Sequence, residues 1–379
     1  MFLLYDIIKH MIFSKLFAPK NFLGIDIGTA SIKVVELSGQ GDKKKLENYG
    51  EIDAEAIYEK PFRSLKKNIL LFSSQDIASA IKAIIDEAGI KTRHCIFSIP
   101  DFSTFFTTLD LPPMTKEELS EAVAFEARQH IPLPLEEITL DWELIKNNGI
   151  KEKEERSKVV LVAVPNKVIN QYREIAKLTG LQPRAMEAEV FSLIRSLIPT
   201  DEKDNIAIVD IGAHTTTCSI IDKGVLRTSY SFDISAEELT KRVSKGLFVD
   251  RPTAQRLKEK YGIEDISLPL TDIDNSSAAK SVKEILISSV DIILKETEKV
   301  ILSFKQTTNK EVKKIIIAGG TSLMPGLKRH FENYFKKETE IANPFLKILR
   351  PPLLEEVLEE MGPRYAIAVG AALRELEKK

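Results

Sequence analysis

The apolar positions open the chain with short blocks and alternations of the strand type. Residues 22–26 are an apolar block suited to a buried strand, Gly28 supplies a turn, and residues 31–37 alternate as a second strand. The polar stretch 39–45 reads as a hairpin tip and 46–52 as a third strand, so the opening predicts an antiparallel meander. A helix follows. Ser74 or Asp76 can start it, Ile77, Ile81, Ile84 and Ile85 recur on one face, and Gly89 stops it. Residues 95–99 read as a strand closed by Pro100.

From Phe102 the texture changes. Alternating Phe, Thr and Leu give way to Leu111-Pro112-Pro113, a helix beginning near Thr115, and the pair Pro132 and Pro134. Residues 139–145 and 159–164 predict strands flanking the mixed-charge run 151–158, a solvated hairpin tip. A helix over 166–178 ends at Gly180, and residues 185–199 are patterned as a helix. A second meander then begins: 205–210, Gly212, 215–221, a turn at Lys223-Gly224, and 225–232. Its layout repeats the first: strand, Asp-Ile-Gly turn, strand, tight turn, strand. Such repetition predicts an internal duplication with two similar lobes facing one another. Helical stretches 236–261 and 278–305 follow, around a polar linker at 265–277. A buried strand at 314–318 runs into Gly319-Gly320, and helices over 325–335 and 365–376 close the pattern.

Composition narrows the function classes. At 379 residues, two domains or one two-lobed domain are expected. Lys plus Arg is 54 against 56 for Asp plus Glu, a net charge of −2, which argues against a nucleic-acid partner because phosphate-backbone binders carry a basic excess. With 43% hydrophobic and 29% charged residues the chain can bury a sizeable core. Cys95 and Cys218 alone supply neither a disulfide framework nor a zinc cluster, which suits a reducing cytoplasm. No apolar run approaches the roughly 18 residues of a membrane-spanning helix. The N-terminal extension, residues 1–20, is amphipathic: Ile7, Ile8, Met11, Ile12, Phe13, Leu16 and Phe17 recur near helical spacing. It could lie on a membrane surface or against the body, or Met11 could be the true start. Asp6 and Lys9 interrupt its apolar run, so it is not a secretory signal.

The chemistry concentrates at three places. Asp26-Ile27-Gly28-Thr29 and Asp210-Ile211-Gly212-Ala213-His214-Thr215 each end an apolar strand. Glycine lets the backbone turn sharply and present N–H groups to a phosphate, and hydroxyls of Thr29, Ser31, Thr215 and Thr216 add donors. An aspartate at such a strand end can hold a hydrated Mg²⁺, which keeps several waters and takes few carboxylates directly. Lys33, seven residues after Asp26, can reach back to β- and γ-phosphates as a point charge. The third place is Ile315-Ile316-Ile317-Ala318-Gly319-Gly320-Thr321-Ser322, where paired glycines leave bare backbone for an adenine to slide over, or a turn before a helix cap.

These three motifs, in this order, resemble the phosphate-1, phosphate-2 and adenosine motifs of the actin-like ATPase superfamily. Within it the chain is similar to the PilM family of type IV pilus assembly proteins, relatives of the division protein FtsA. The segments that carry the likeness are 24–37, Phe97-Ser98-Ile99-Pro100, Glu126-Ala127-Arg128-Gln129-His130-Ile131-Pro132-Leu133-Pro134-Leu135-Glu136-Glu137, Asp141-Trp142, Leu161-Val162-Ala163-Val164-Pro165, Gly180-Leu181-Gln182-Pro183 and Ala342-Asn343-Pro344-Phe345. The likeness covers about residues 13–376.

The resemblance implies an α/β, two-lobed actin-like ATPase fold with an inserted 1C-type subdomain. Lobe 1 (1A) would be 21–100 with 183–200 and 345–379, and the insert 101–182. Lobe 2 (2A) would be 201–235 with 306–344, and its helical part (2B) 236–305. The implied cofactors are ATP and Mg²⁺. Gly28, Thr29, Ala30, Ser31, Lys33, Gly212, Ala213, His214, Thr215, Thr216, Gly319, Gly320 and Thr321 would surround the nucleotide. Asp26, Asp210 and Glu189 would serve the metal, with Glu187 as the alternative to Glu189. The implied partner is the cytoplasmic N-terminal tail of a PilN-like bitopic membrane protein, held beside the insert, with Phe102, Phe105 and Phe106 as candidate groove residues or ordinary core. Other platform proteins, the assembly ATPases and self-association are further partners the resemblance allows. The protein would then sit in the cytoplasm, peripheral on the inner face of the membrane, with weak or partner-dependent ATPase activity at most. Two other readings share the fold. FtsA carries a C-terminal amphipathic membrane helix after a linker, whereas this sequence stops at Glu377-Lys378-Lys379. A small-molecule kinase needs a second-substrate motif, and none is recognisable.

Overall fold

A computed structural model describes residues 21–40, 43–54, 63–64, 69–70, 73–144, 157–265 and 273–377. The expectations for the extension 1–20, for the tip at 151–156 and for most of the linker at 265–277 lie outside the described residues. The first meander folds as its alternation dictates, with β1 (Asn21–Ile27), β2 (Ser31–Gln40) and β3 (Lys43–Asp53) paired antiparallel. A small hairpin, β4 (Arg63–Ser64) and β5 (Ile69–Leu70), follows. Helix α1 (Ser74–Glu87) starts at a capping box made by Ser73 and Asp76, which satisfies two otherwise orphaned N–H groups. Strand β6 (His94–Ile99) then adds parallel to β1.

The insert is a three-stranded antiparallel sheet in the order β7-β9-β8, made by β7 (Phe105–Leu111), β8 (Ile138–Leu144) and β9 (Ser157–Pro165). Helix α2 (Lys116–His130) covers it, and Leu109, Leu111, Leu119, Val123, Leu161 and their neighbours form its own core. Helix α3 (Asn166–Thr179), expected in the insert, instead joins lobe 1: Val168, Ile169, Tyr172 and Ile175 are buried in one cluster with Ile77 and Ile81 of α1 and with β1 and β6. Its apolar face fits the outer side of the lobe 1 sheet. Residues 185–199 are not one helix. β10 (Gln182–Ala188) extends the sheet parallel to β6, and only then does α4 (Glu189–Leu197) begin. The open edge of β6 overrides the local pattern here, since pairing satisfies the backbone of both strands. The order is β10-β6-β1-β2-β3.

Lobe 2 repeats this plan. β11 (Asn205–Ile211), β12 (Thr216–Asp222) and β13 (Val225–Phe232) form the second antiparallel meander. Helices α5 (Ala236–Leu247), α6 (Arg251–Tyr261) and α7 (Ile273–Thr308) cover its outer face. β14 (Lys314–Ala318) pairs parallel with β11, helix α8 (Leu327–Phe335) follows, and β15 (Glu338–Ile341) pairs parallel with β14. The resulting order, β13-β12-β11-β14-β15, matches lobe 1 strand for strand. The likeness extends to an irregularity. Each meander carries a one-residue bulge ten residues past its aspartate, at Glu36/Leu37 and at Ile220/Ile221.

The last helix, α9 (Glu355–Leu376), starts ten residues before the sequence pattern suggests and runs through Pro363. With α4 it is held between the lobes. Ala368, Val369, Ala371 and Ala372 join Phe22, Val35 and Ile96 of the lobe 1 sheet, while Ala366 and Leu193 of α4 join Ile206, Ile208 and Ile316 of the lobe 2 sheet. The approach is close enough to demand glycine. A Cβ on Gly24 would stand 1.8 Å from the Ala368 carbonyl oxygen, and one on Gly370 would stand 1.9 Å from that of Ser192. Both neighbours are backbone and cannot rotate away. Gly24→Ala and Gly370→Ala are therefore each expected to cost at least about 1–3 kcal/mol, the range for overpacked cores. The check is the urea midpoint at unchanged slope; a loss within 0.5 kcal/mol, roughly the surface range, would contradict the close crossing.

Candidate functional site

Residues directly opposite one another on paired strands share a face. Lobe 1 thereby builds a polar row at one end of its sheet. Asp26 of β1 stands opposite Lys33 of β2, and Lys33 opposite Glu51 of β3. On the other side Ser98 of β6 donates to Asp26 Oδ1 at 3.2 Å, and Ser98 stands opposite Glu187 of β10. Alternation puts Gly24, two residues before Asp26, on this same face, against α9. The row Glu187–Ser98–Asp26–Lys33–Glu51 thus looks toward the central helices, while Ile25, Ile27, Ile32 and Val34 face α1 and α3.

The two turns at the row's end and its counterpart share one geometry. The Gly28 N–H donates to the Ser31 carbonyl at 2.9 Å, and the Gly212 N–H donates to the Thr215 carbonyl at 2.9 Å. Thr29 and Ser31 are buried, Ala30 is exposed, and Ala213, His214 and Thr215 are half-buried. Helix α5 starts directly on the second turn, the N–H groups of Ala236 and Glu237 reaching the carbonyls of Gly212 and Ala213. Thr216 is placed differently from the sequence expectation. It is the first residue of β12 and its side chain turns to the lobe 2 core, where its hydroxyl donates to the Ile234 carbonyl at 2.5 Å. Thr217, one residue on, is the hydroxyl that faces Asp210 across the pair.

The third motif closes against the second. Asp210 pairs with Ala318 at the end of β14, and a Cβ on Gly319 would stand 2.7 Å from Asp210 Oδ1 and 2.4 Å from the Ile211 carbonyl oxygen. Gly319 also has φ +82°, so glycine is required there on two counts. Its N–H donates to the Pro363 carbonyl of α9 at 3.0 Å, which ties this turn to lobe 1. Gly320 begins a 3₁₀ turn, Gly320–Leu323, that buries Thr321 and lies against the Arg364 side chain.

Among the described residues no three His, Cys, Asp or Glu side chains converge as a metal cage. Asp26 and Asp210 each stand at the end of an equivalent strand, a donor set that suits Mg²⁺ keeping its waters rather than a protein-enclosed ion. Glu189 opens α4 and is buried. Its Oε2 accepts from the Asp101 N–H at 3.2 Å, while Asp101 Oδ1 accepts from the Val190 N–H at 3.1 Å. Asp101 therefore fixes the first turn of α4, a role the sequence did not single out. Glu187 is taken up otherwise. Arg195 donates to both its oxygens at 2.5 and 3.0 Å, Ser192 donates at 2.7 Å, and Arg374 of α9 adds a second guanidinium.

The three phenylalanines do not line one groove. Phe105 and Phe106 are neighbours on a strand and point to opposite faces. Phe105 packs on the insert's own core, and Phe106 packs edge-on to Phe191, ring centroids 6.2 Å apart, in the cluster of Ala188, Val190 and Leu226 that joins the insert to lobe 2. Phe102 sits half-buried in the 3₁₀ turn Asp101–Ser103. Both cysteines are buried, and burial pushes each thiol up to about 12, so neither offers a thiolate. Lys258 of α6 carries no signal in the sequence pattern. It is buried under the start of α5, donates to Thr240 Oγ1 at 2.8 Å and the Ala236 carbonyl at 3.2 Å, and burial pushes it down to about 8.

Two matching lobes, paired Asp-x-Gly turns and a Gly-Gly turn between them define an actin-like ATPase fold. The sequence profile described as type IV pilus assembly protein PilM matches residues 24–376. The chain belongs to that family. A solved chain titled as a PilM–PilN type IV pilus biogenesis complex superposes with a TM-score of 0.79, at 21% identity over 94% of this chain and 98% of that one. The actin-like MreB 5 of Spiroplasma citri, bound to AMPPNP, superposes at 0.52, with 12% identity over 93% and 95% of the two chains. Among curated proteins, the cell division protein FtsA of Pseudomonas aeruginosa is 23% identical, over 95% of this chain and 90% of that one.

The Glu187 clamp has a pH signature. Burial pushes its carboxyl up, but hydrogen bonding and charge from Arg195 and Arg374 outweigh burial and leave it below the usual carboxylate range. A depressed folded-state value adds stability that is full above the unfolded value of about 4.3 and is lost as pH falls through the folded one. Glu187→Gln should cost about 3–5 kcal/mol at neutral pH, the range for breaking one partner of a buried pair. It should also flatten the loss of stability below about pH 4.3. Denaturation curves from neutral to acid pH check both; equal acid slopes for variant and wild type would contradict the clamp.

Proposed function

We propose that this PilM-family protein is an ATP-binding assembly platform. It binds Mg-ATP between its lobes, clasps the cytoplasmic tail of a PilN-like bitopic membrane protein, and is recruited through that tail to the inner face of the membrane. The observation that carries the nucleotide half is the duplicated turn: Gly28 and Gly212 make the same hydrogen bond, and each follows an aspartate on the sheet face that looks toward the central helices. Glycine turns with nearby hydroxyls are a fit cradle for phosphate, and Asp26 and Asp210 are fit to position the waters of Mg²⁺. The partner half is supported by the family and by the likeness to a chain solved in a PilM–PilN complex. No helix among the described residues is long and apolar enough to cross a membrane, which is compatible with recruitment by a partner.

Isothermal calorimetry with Mg-ATP tests the site. Asp210→Ala should weaken binding about 10- to 100-fold, the cost of losing a group that orients a metal shell. Unchanged affinity with the fold intact would sink the assignment. Phosphate release by the purified protein should stay well below the ~1–100 s⁻¹ of kinases, because efficient transfer needs an oriented nucleophile and dedicated charge stabilisation. Sustained turnover in that range would favour the small-molecule kinase reading. Fluorescence anisotropy with a labelled tail peptide from a PilN-like protein tests the partner half, and absence of saturable binding would count against it.

A further inference from the structure

Lys33, the cation best placed to meet a nucleotide's terminal phosphate, already has an anion. Its Nζ lies 3.4 Å from Glu51 Oε1 and donates to Ser31 Oγ at 2.5 Å. The same Glu51 Oε1 accepts from Arg364 Nη2 at 2.7 Å, and the Ser31 and Tyr365 hydroxyls also face this carboxylate. Burial pushes Glu51 up, yet Lys33 and Arg364 outweigh it and hold the group below its ordinary value. One carboxylate thus serves two cations, the shorter contact being with Arg364. Lys33 can leave without stranding a buried charge, since Arg364 stays behind to pair with it.

Arg364 is not a bystander. The Pro363 carbonyl just before it holds the Gly319 N–H, and its side chain lies where a Cβ on Gly320 would fall at 3.3 Å. The row opposite, in lobe 2, has no equivalent charge: Thr217 stands where lobe 1 has Lys33, and Ser231 where it has Glu51. The lobe 1 pair is therefore a feature of this site and not a by-product of the duplicated fold.

We propose that Glu51 is a specificity-determining residue of the nucleotide site, holding Lys33 where a terminal phosphate would otherwise hold it. This rests on the nucleotide-binding reading above. A triphosphate offers Lys33 enough charge to leave Glu51, whereas a diphosphate binds with Lys33 still paired to it. The pair's strength is a toll on Lys33 engagement, and it falls on the triphosphate, which engages Lys33.

The test is a double-mutant cycle read by calorimetry, with Mg-ATP and Mg-ADP as probes, on wild type, Glu51→Gln, Lys33→Ala and the double variant. Glu51→Gln should tighten Mg-ATP about three- to tenfold, since it removes one of the two partners of the largely buried Lys33 ammonium while Ser31 remains, and should tighten Mg-ADP by less than about twofold. In the Lys33→Ala background the same change should move Mg-ATP by less than about twofold. Equal tightening of both nucleotides, no tightening, or a gain that persists without Lys33 would overturn the proposal, the last by making it a general charge effect. If Glu51→Gln fails to fold, Glu51→Asp, which keeps the charge but shortens the reach to Lys33, must shift Mg-ATP in the same direction. Wild type that binds no Mg-ATP would bring down the nucleotide reading itself, and this proposal with it. Wild type that binds normally while the cycle shows no Lys33 dependence would bring down the proposal alone.

Discussion

The arrangement depends on how closely two helices approach two sheets. Helix α9 lies on the inner face of the lobe 1 sheet at Gly24, crosses α4 at Gly370, and turns Ala366 toward the lobe 2 sheet. Small residues at 366, 368, 371 and 372 make that a backbone-to-backbone contact, which is stiff because no side chain can rotate to relieve it. Each polar row is thereby held at a fixed distance from the helices, and the Gly319–Gly320 turn is pinned to lobe 1 by the Pro363 carbonyl. A site built from three separate turns needs such a frame, since its groups come from strands far apart in sequence.

Much of this is legible in the sequence, and what is legible is local. Asp-Ile-Gly at the end of an apolar strand announces itself twice, and the strand alternation on either side assigns Asp26 and Asp210 to turn ends without further help. What depends on another element is not legible. Residues 185–188 look helical until the open edge of β6 offers them a ladder, and β15, four residues in which Glu alternates with Thr and Ile, becomes a strand only because β14 is beside it. Helix α3 reads as part of the insert by position in the chain, and only its buried face shows that it covers α1. The start of α9 is hidden by Pro363, a residue that ordinarily marks a helix boundary.

Glu51 owes its place beside Lys33 to a break in the strand register. Counting back across the hairpin from the paired Leu37 and Leu46 would put Gly50, not Glu51, opposite Lys33. The bulge at Glu36/Leu37 inserts Glu47 and moves every later residue of β3 to the other face. Without it Glu51 would point away from the central helices, and Lys33 would face no carboxylate on β3. One extra residue, invisible to a periodicity argument, decides whether the cation of the first turn has an anion beside it. The same reasoning explains Thr216 and Thr217: both are hydroxyls after a glycine turn, and only the pleat decides which faces Asp210.

The bulge also shows how a duplicated fold acquires unlike halves. Both meanders keep it at the same offset from their aspartates, so the backbone plan of the two lobes is common to both. The side chains it aligns are not. In lobe 1 the row is Asp26, Lys33 and Glu51, continued by Arg364; in lobe 2 it is Asp210, Thr217 and Ser231, joined by the 2.9 Å hydroxyl contact of the last two. Along these rows the paired charges lie in lobe 1, while lobe 2 presents two neutral hydroxyls beside its one carboxylate. Charge interactions in a partly buried site reach further than hydrogen bonds do and respond to what replaces them. Neutral hydroxyl pairs, by contrast, are short-ranged and either made or broken. The same backbone plan thus carries a charged row in one lobe and a hydroxyl row in the other.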